Sequence, residues 1–247
     1  MDTSARPHPL HRIMVTGASA GIGRAIVRLL AGRGHQLHAI ARGEEKLAAL
    51  ARETGCTFDA VDIRDLQRMR QVVDTVKPAV LVNNAGTSRA TRVLAATPEA
   101  IAETIETNIT ATLGLTRLAL THMLEAGGGQ IVTIGSVAGI HPTPSTVYGA
   151  TKGALHRLSQ ALRLELLGTG IRITEICPGL TDTTLVTDEL RRHAGGAKML
   201  DPDDVADAVR YAIEAPQHVN IATIELLSVE QAMGGAHFKP VAGDRTK

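Results

Sequence analysis

Short apolar runs alternate with helical patterns along most of this 247-residue chain, and the alternation limits the folds that it can adopt. The apolar runs predict strands at residues 13–15, 37–40, 57–61, 79–82, 130–134, 171–176 and 221–227. Helical patterns lie between most of them, including segments at residues 44–53, 66–76, 150–167 and 201–214. Strands that alternate with helices pair in parallel through right-handed crossovers. The sequence therefore predicts an α/β fold, in which one doubly wound parallel sheet of about seven strands carries helices on both faces.

The composition is that of an ordinary globular protein, and it argues against several classes of partner. Hydrophobic residues make up 44% of the chain and charged residues 21%, with 26 Lys and Arg against 25 Asp and Glu. Because the positive and negative charges nearly balance, the chain has no excess of positive charge to attract a polyanion. Two Phe, two Tyr and no Trp also offer few surfaces for base stacking. We therefore expect binding neither to nucleic acid nor to membranes.

The termini and the cysteines lead to three further expectations. The amino-terminal residues contain no apolar core of signal-peptide length, and no run approaches about 18 apolar residues. Cys56 and Cys177 lie far apart without C-x-x-C spacing, so we expect both to be buried as small hydrophobes in a cytoplasmic protein. We expect one domain at residues 12–235, with disordered tails at residues 1–11 and 236–247.

A glycine-rich turn follows the first predicted strand directly. It begins at Thr16 and contains Gly17, Gly21 and Gly23 before an amphipathic helix that ends near residues 32–34. Backbone N–H groups in such a turn can approach a pyrophosphate closely, and the dipole of the helix adds to the attraction. The turn therefore predicts a dinucleotide site, and the alternative is a turn with a purely structural role.

A second group of residues lies between the fifth predicted strand and the following helix. Tyr148 and Lys152 are four residues apart, so a helix places the phenol and the ammonium on one face. Ser136 follows the end of the strand, where open α/β sheets bind their ligands. An ammonium favours a phenolate, and a serine hydroxyl can both donate to and accept from a substrate oxygen. These groups predict proton transfer between an alcohol and a carbonyl, unless Tyr148 and Lys152 are merely solvated neighbours.

Together these motifs resemble the short-chain dehydrogenase/reductase family. The family patterns are T-G-x-x-x-G-x-G at residues 16–23, N-N-A-G at residues 83–86, a Ser twelve positions before Y-x-x-x-K, and P-G-x-x-x-T at residues 178–183. The resemblance implies a Rossmann-type fold, no metal, and hydride transfer between a nicotinamide and a hydroxyl or carbonyl carbon. It also implies a catalytic tetrad. In that tetrad Tyr148 is the acid or base, Lys152 lowers its pKa, Ser136 polarises the substrate oxygen and Asn108 anchors a relay water.

The resemblance further implies the cofactor and its contacts. NAD-dependent members carry an acidic residue after the second strand, whereas this chain has Ala41 followed by Arg42. A cation there favours the 2′-phosphate of NADP(H), and a solvated surface arginine is the alternative interpretation. The other predicted contacts are Gly17, Ser19, Gly21, Ile22 and Gly23 in the turn, Asp62 and Ile63 at the adenine, and Asn84, Ala85, Gly86, Tyr148, Lys152, Pro178, Gly179, Thr181 and Thr183 near the nicotinamide.

The carboxyl-terminal half resembles the subgroup of NADP-dependent serine and 3-hydroxy acid dehydrogenases. That likeness implies a small-molecule substrate such as serine or a 3-hydroxybutyrate-like compound, and the family implies a homotetramer. The alternatives are a reductase of a bulkier ketone, aldehyde or biosynthetic intermediate, and a non-catalytic regulator that binds NADP. Residues 184–200 have the composition of a mobile lid, in which Arg191, Arg192 and Lys198 either bind an anionic substrate or lie on a solvated helix face.

Overall fold

The computed structural model describes residues 11–186, 188, 191 and 196–231, and its strands form one parallel sheet. The strands are β1 (Arg12–Thr16), β2 (Gln36–Ala41), β3 (Thr57–Ala60), β4 (Val80–Asn83), β5 (Gly129–Ile134), β6 (Ile171–Pro178) and β7 (Thr223–Leu226). Their order in this seven-stranded sheet is β3-β2-β1-β4-β5-β6-β7. The predicted α/β class with a doubly wound parallel sheet is confirmed.

Helices connect these strands, and local signals in the sequence set where they begin. They are α1 (Gly21–Gly32), α2 (Glu44–Thr54), α3 (Leu66–Val76), α4 (Pro98–Ile105), α5 (Thr112–Glu125), α6 (Val137–Ile140), α7 (Thr146–Glu165) and α8 (Pro202–Ile213). Asp65 caps α3 by accepting from the Arg68 N–H at 3.0 Å, and Thr97 caps α4 by accepting from the Ala100 N–H at 3.3 Å. Each described helix is too short or too polar to cross a membrane.

The sheet is buried on both faces, which explains why its central strands are continuous apolar runs. Successive residues of a strand point to opposite faces. In β1, Ile13 and Val15 therefore pack with α1 and α8, whereas Met14 packs with α3 and α5. All three side chains are fully buried.

The strand order reverses at β1, and this reversal positions the functional site. β1 pairs with β2 on one side and with β4 on the other. In open α/β sheets such a switch point leaves a crevice at the carboxyl ends of the two strands, where ligands bind. The strands end here at Thr16 and Asn83. The crevice therefore brings the glycine turn and the N-N-A-G segment together.

Helix α7 begins four residues before the predicted start at residue 150. The Val147 N–H donates to the carbonyl of Thr91 at 3.0 Å, and the Gly149 N–H donates to the carbonyl of Ser145 at 2.7 Å. These bonds satisfy backbone donors of the first turn, so the helix can start at Thr146. Tyr148 consequently lies inside the helix rather than before it.

Strand β6 continues through Cys177 and Pro178, where the sequence predicted a break. Proline lacks an N–H, but as the last residue of the strand Pro178 needs no ladder donor there. The next amide, at Gly179, donates to the carbonyl of Leu226 in β7 at 2.7 Å. β7 itself is shorter than the predicted 221–227.

The predicted domain limits stay predictions. Residues 1–10 and 232–247, which include almost all of both predicted tails, lie outside the described residues. Part of the predicted lid, at residues 187, 189, 190 and 192–195, also lies outside them, and this part includes Arg192.

Candidate active site

The glycine turn packs tightly against the segment that follows β4. Gly17 has a φ of 66°, and a Cβ there would lie 2.8 Å from Asn84 Nδ2. A Cβ at Gly23 would overlap the carbonyl oxygen of Gly17. Among the described residues no side chain caps the first turn of α1, and that turn contains no acidic residue. The backbone there has the space and polarity that a phosphate group requires, with Ser19 and Ile22 half-buried in the same turn.

A hydrogen-bond network joins the ends of β1 and β4. The Thr16 hydroxyl oxygen accepts from the Asn84 N–H and from the Ala85 N–H, each at 3.0 Å. In return Asn84 Nδ2 donates to the carbonyl of Thr16 at 2.8 Å. Asn84 therefore cross-links the two strand ends. Asn83 instead donates to Thr116 Oγ1 of α5 at 2.9 Å, so it anchors β4 to that helix.

Ser136, Tyr148 and Lys152 meet beside the end of β5. Lys152 Nζ donates to the carbonyl of Ile134 at 2.7 Å and lies 5.7 Å from the centroid of the Tyr148 ring. Ser136 is the residue before α6, and its side chain accepts from the Ala138 N–H at 3.1 Å. The Ser136 side chain also hydrogen-bonds the Tyr148 side chain. All three groups that the sequence predicted to act together are therefore neighbours.

Burial dominates the protonation of this pair. It raises the pKa of Tyr148 to about 12, although the hydrogen bond with Ser136 works in the opposite direction. Burial also lowers the pKa of Lys152 to about 8, because a low-dielectric environment disfavours the ammonium. The lowering of the Tyr148 pKa by Lys152 stays a prediction, since burial sets the direction of the shift here.

Asn108 lies in a π-helical segment, Glu106–Ala111, between α4 and α5. Its Oδ1 accepts from the Thr87 N–H at 2.8 Å, and its Nδ2 donates to the Thr87 carbonyl at 2.9 Å and to Thr151 Oγ1 at 3.0 Å. Thr151 Oγ1 in turn donates to the Tyr148 carbonyl at 2.8 Å. Asn108 therefore ties the loop after β4 to the catalytic helix. The sequence analysis missed Thr87 and Thr151, and no pattern in the sequence marks them.

Gly86 lies where these two sets of residues approach each other. A Cβ there would be 3.3 Å from Asn108 Oδ1 and 3.9 Å from Lys152 Nζ. A side chain at this position would therefore enter the space in front of Lys152. The predicted contact residues after β4 are thus close to the catalytic helix.

The predicted adenosine end of the site carries two arginines. Arg42 is exposed after β2. Beyond β3, Arg64 NH2 pairs with Asp62 Oδ2 at 2.7 Å, and the Arg64 N–H also donates to Asp62 at 3.0 Å. Hydrogen bonding with Arg64 holds the pKa of Asp62 below its usual value, and the charge of Arg42 adds to this effect. Ile63 is buried beside them. Arg64 is a further cation that the sequence analysis did not single out.

The segment after β6 closes over the glycine turn. A Cβ at Gly21 would lie 3.1 Å from Thr183 Cγ2, so this threonine packs against the turn directly. Thr181 is buried and its hydroxyl donates to the carbonyl of Gly179 at 3.2 Å. This segment, which begins at Pro178, therefore borders the crevice on the side opposite β2.

The lid cations have different environments. Arg191 NH2 pairs with Asp182 at 2.6 Å and donates to the Thr183 carbonyl at 3.2 Å. It therefore fastens the lid to the segment after β6, and in this arrangement it is not directed to a substrate. Lys198 is exposed, and its backbone N–H donates to Glu230 at 2.9 Å.

Comparison with known proteins identifies the family. The family model described as short chain dehydrogenase matches residues 11–194, about three quarters of the chain. The chain belongs to the short-chain dehydrogenase family. A short-chain type dehydrogenase/reductase of Sinorhizobium fredii, y4eK, is 36% identical over 246 residues, which cover 95% of this chain and 99% of the relative. An oxidoreductase of Staphylococcus saprophyticus is 35% identical over 87% of this chain and 96% of its own length.

Solved structures of short-chain dehydrogenases have the same fold. The closed form of a serine dehydrogenase complexed with NADP⁺ superposes with a TM-score of 0.86 at 33% identity, covering 91% of this chain and 97% of that one. Serine dehydrogenase from Escherichia coli gives a TM-score of 0.80 at 34% identity, covering 90% and 99%. This short-chain dehydrogenase is therefore an oxidoreductase that acts on CH–OH groups with a nicotinamide cofactor.

Proposed function

We propose that the protein is an NADP(H)-dependent dehydrogenase that acts on a small 3-hydroxy acid, such as serine or a 3-hydroxybutyrate-like compound. The observation that carries the proposal is the convergence of Ser136, Tyr148 and Lys152 at the carboxyl end of the sheet, beside the glycine turn. The likeness to two serine dehydrogenase structures supports the substrate class.

The residues of the crevice fit a dinucleotide. Gly17 and Gly23 leave the backbone open to a pyrophosphate, and the uncapped first turn of α1 directs N–H groups toward it. When bound, the nicotinamide supplies or accepts the hydride. Lys152 keeps two of its three donors after the bond to Ile134, and these would hold the ribose hydroxyls.

The chain supplies the proton chemistry. Tyr148 gives a proton to the substrate oxygen in reduction and takes it back in oxidation, while Ser136 hydrogen-bonds the same oxygen. The ammonium of Lys152 favours the phenolate during this exchange. Because the Asn108 amide already donates to Thr87 and Thr151, we infer that a relay water would bind the main-chain carbonyl of Asn108 rather than its side chain.

The choice of NADP(H) rests on the residues that follow β2. Ala41 ends the strand without a carboxylate, so nothing there repels a 2′-phosphate. Arg42 is exposed next to it, and its guanidinium matches the geometry of a phosphate. The charge of Arg42 reaches Asp62, which supports its position at the adenosine end.

A second candidate, a reductase of bulkier ketones or aldehydes, is favoured by an apolar rim. Val93, Leu94 and Leu185 are 55%, 100% and 47% exposed. The Ser88 hydroxyl donates to the Leu185 carbonyl at 3.5 Å, so the loop after β4 and the lid adjoin at this rim. An apolar rim suits an apolar substrate better than a small hydroxy acid.

Initial rates on a substrate panel test the proposal. The purified protein with NADP⁺ is offered L-serine, D-serine, 3-hydroxybutyrate and 3-hydroxypropionate, and with NADPH it is offered aliphatic and aromatic ketones and aldehydes. We expect turnover of the 3-hydroxy acids. Turnover confined to the bulky carbonyl compounds would support the second candidate. No turnover of any compound in the panel would contradict both candidate functions.

We also propose a homotetramer in the cytoplasm. Ile105, Leu113 and Leu124 on α4 and α5 are 43%, 41% and 49% exposed, and Leu164 in α7 and Leu167 just after it are 79% and 83% exposed. Exposed apolar side chains on neighbouring helices support burial against other copies of the chain. Cys56 and Cys177 are free and buried, which suits a reducing compartment.

A further inference from the structure

A buried carboxylate lies beneath the catalytic helix, and the mechanism above does not use it. Glu175 on β6 is 0% exposed, and no other acidic residue of the described chain is buried. Its register partner in β5 is Thr133, so Glu175 shares the face of the sheet that α7 covers with Ile173 and Cys177. An ionised carboxylate in such a place must be compensated by other groups.

A directional chain of hydrogen bonds orients the carboxyl group of Glu175. Arg157 NH1 donates to Gln160 Oε1 at 2.8 Å, which orients the amide so that Gln160 Nε2 faces His156 Nε2 at 2.9 Å. The imidazole Nε2 must then accept, so the proton of a neutral His156 is on Nδ1, which donates to Glu175 Oε2 at 2.6 Å. Glu175 Oε2 is therefore an acceptor, and a neutral His156 brings no positive charge to the carboxylate.

The other oxygen of Glu175 faces the catalytic residues. Oε1 makes no hydrogen bond to nitrogen or oxygen within the described residues. It lies beneath Gly135, where a Cβ would overlap it. Gly135 directly follows Ile134, the residue whose carbonyl accepts from Lys152 Nζ. Glu175 Oε1 and the buried ammonium therefore lie at the same strand end, with the Cys177 thiol beside Gly135 as well.

Lys152 and Glu175 are the two buried charges closest to the reaction. Lys152, on α7, is 5% exposed and lies one helical turn before His156. Burial lowers the pKa of Lys152, whereas Cys177 and then Glu175 raise it. Because burial raises the pKa of the Cys177 thiol and so keeps it uncharged, Glu175 supplies the negative charge at neutral pH. An opposite charge in a low-dielectric site has this effect.

We propose that Glu175, oriented by His156, is a positioning residue that keeps the ammonium of Lys152 protonated at neutral pH. The inference rests on the proposed function, since Lys152 is useful as an ammonium only if it serves Tyr148 and the cofactor. Sequence patterns of the family do not mark either residue. The pair works from behind the site, through Lys152, and does not touch substrate.

The other charged and titratable groups around Lys152 are accounted for. Tyr148 faces it from the same helix, and Cys177 faces it from β6 with a thiol whose pKa is raised by burial and by Glu175. Burial lowers the pKa of Arg163 on α7 and the charge of Glu175 raises it, but this guanidinium donates to the carbonyl of Ala222 at 2.9 Å. Glu225 of β7 faces Cys177 and pairs with His141 at 2.9 Å.

The direct test is the titration of Lys152 itself by NMR. The chain has six lysines, so protein labelled with ¹³C at lysine Cε gives few signals, and Lys152→Arg assigns the one of interest. We expect a midpoint of about 8 in the wild type. In Glu175→Gln the midpoint should fall by about one pH unit or more. Glu225→Gln is the matched control, because it removes a carboxylate from another His–Glu pair, and it should leave the midpoint unchanged.

Two variants of His156 separate charge from packing. His156→Leu removes the imidazole donor that orients Glu175, so the carboxylate is no longer held in place and the Lys152 midpoint should fall as in Glu175→Gln. His156→Asn retains an N–H close to the position of Nδ1, so it should restore the midpoint at least in part. Circular dichroism and thermal melting verify that each variant is folded.

NADPH fluorescence on binding gives a second measurement. Glu175→Gln should bind NADPH several-fold more weakly than the wild type at pH 8, and the difference should vanish at pH 6, where Lys152 is protonated in both. A purely structural defect would persist at pH 6. A folded Glu175→Gln with an unchanged Lys152 midpoint would overturn the inference. A wild type that binds no NADPH would overturn the proposed function, and the NMR titration would still test the inference.

Discussion

Single residues of the active site carry free-energy costs that the rest of the fold must offset. The change in the Lys152 pKa from 10.5 to about 8 corresponds to roughly 3 kcal/mol of preference for the neutral amine in the folded state. At neutral pH the residue nevertheless remains mostly an ammonium. The buried charge therefore lowers stability for the sake of proton transfer and cofactor binding.

Replacing Lys152 by Met removes the buried charge and should raise the free energy of unfolding at pH 7 by about 1–2 kcal/mol. The gain is smaller than the cost of the charge because the hydrogen bond to Ile134 is lost as well. The folded-state pKa is depressed, so the penalty is fully present below about pH 8 and disappears as the pH rises through 10.5. Urea denaturation at pH 7 and pH 10 measures both values. The exposed Lys46→Met is the control, and a Lys152→Met that is less stable at pH 7 would contradict this account.

Arg42 is a residue whose role is electrostatic and local. Arg42→Ala should weaken NADPH binding by roughly tenfold or more, about 1.4 kcal/mol, because the 2′-phosphate loses its guanidinium partner. NADH binding should hardly change. Fluorescence titration of both cofactors, with the exposed Arg52→Ala as control, measures the effect. Equal losses of affinity for NADPH and NADH would show that Arg42 does not bind the 2′-phosphate.

At the scale of elements, the site depends on how closely the turn after β1 approaches the segment after β4. Gly23 illustrates this, since a Cβ there would overlap the Gly17 carbonyl although its own φ is ordinary for a helix. Gly32, at the other end of α1, has no atom within 4 Å of its Cβ position. Gly23 and Gly32 of the same helix therefore have opposite requirements.

We expect Gly23→Ala to lower NADPH affinity by more than tenfold, because the turn must open to admit the methyl group. Gly32→Ala should leave the affinity unchanged and, if anything, stabilise α1 by up to about 1 kcal/mol. Calorimetric titration with NADPH and thermal melting compare the two variants. Normal binding by Gly23→Ala would mean that the close approach is not needed.

The helices and strands show which features could be predicted from the sequence and which could not. The order of strands and helices, the caps at Asp65 and Thr97 and the glycine turn depend on local patterns, and the structure has them all. The start of α7 depends on a bond from Val147 to the distant Thr91, which no local pattern records. The π-helical turn at Asn108 likewise depends on contacts with Thr87 and Thr151.

At the scale of the whole molecule, the tertiary fold creates the environments that decide the chemistry. Ser136, Tyr148 and Lys152 are recognisable as a motif, but the pKa values of Tyr148 and Lys152 depend mainly on their burial. Glu175 and His156 lie 19 positions apart, and only the packing of α7 against β6 brings them together. Such long-range pairs cannot be inferred from one sequence.

The exposed apolar face of α4, α5 and α7 should mediate assembly of the whole molecule. We expect sedimentation at the mass of a tetramer. Leu164→Glu should dissociate it to smaller species, because a carboxylate would be buried without a partner. Leu94→Glu, at the rim of the site, is the control and should keep the assembly intact. A wild-type protein that sediments as a monomer would refute the interface.

The central claim is that Tyr148 transfers the proton that accompanies hydride transfer, and the most direct test compares wild type with Tyr148→Phe. The measurement is the absorbance of the reduced cofactor during turnover of NADP⁺ with the best substrate of the panel, together with NADPH affinity. We predict that the variant binds NADPH within about twofold of the wild type and loses turnover by at least about a thousandfold. Substantial turnover by a folded Tyr148→Phe would contradict the account.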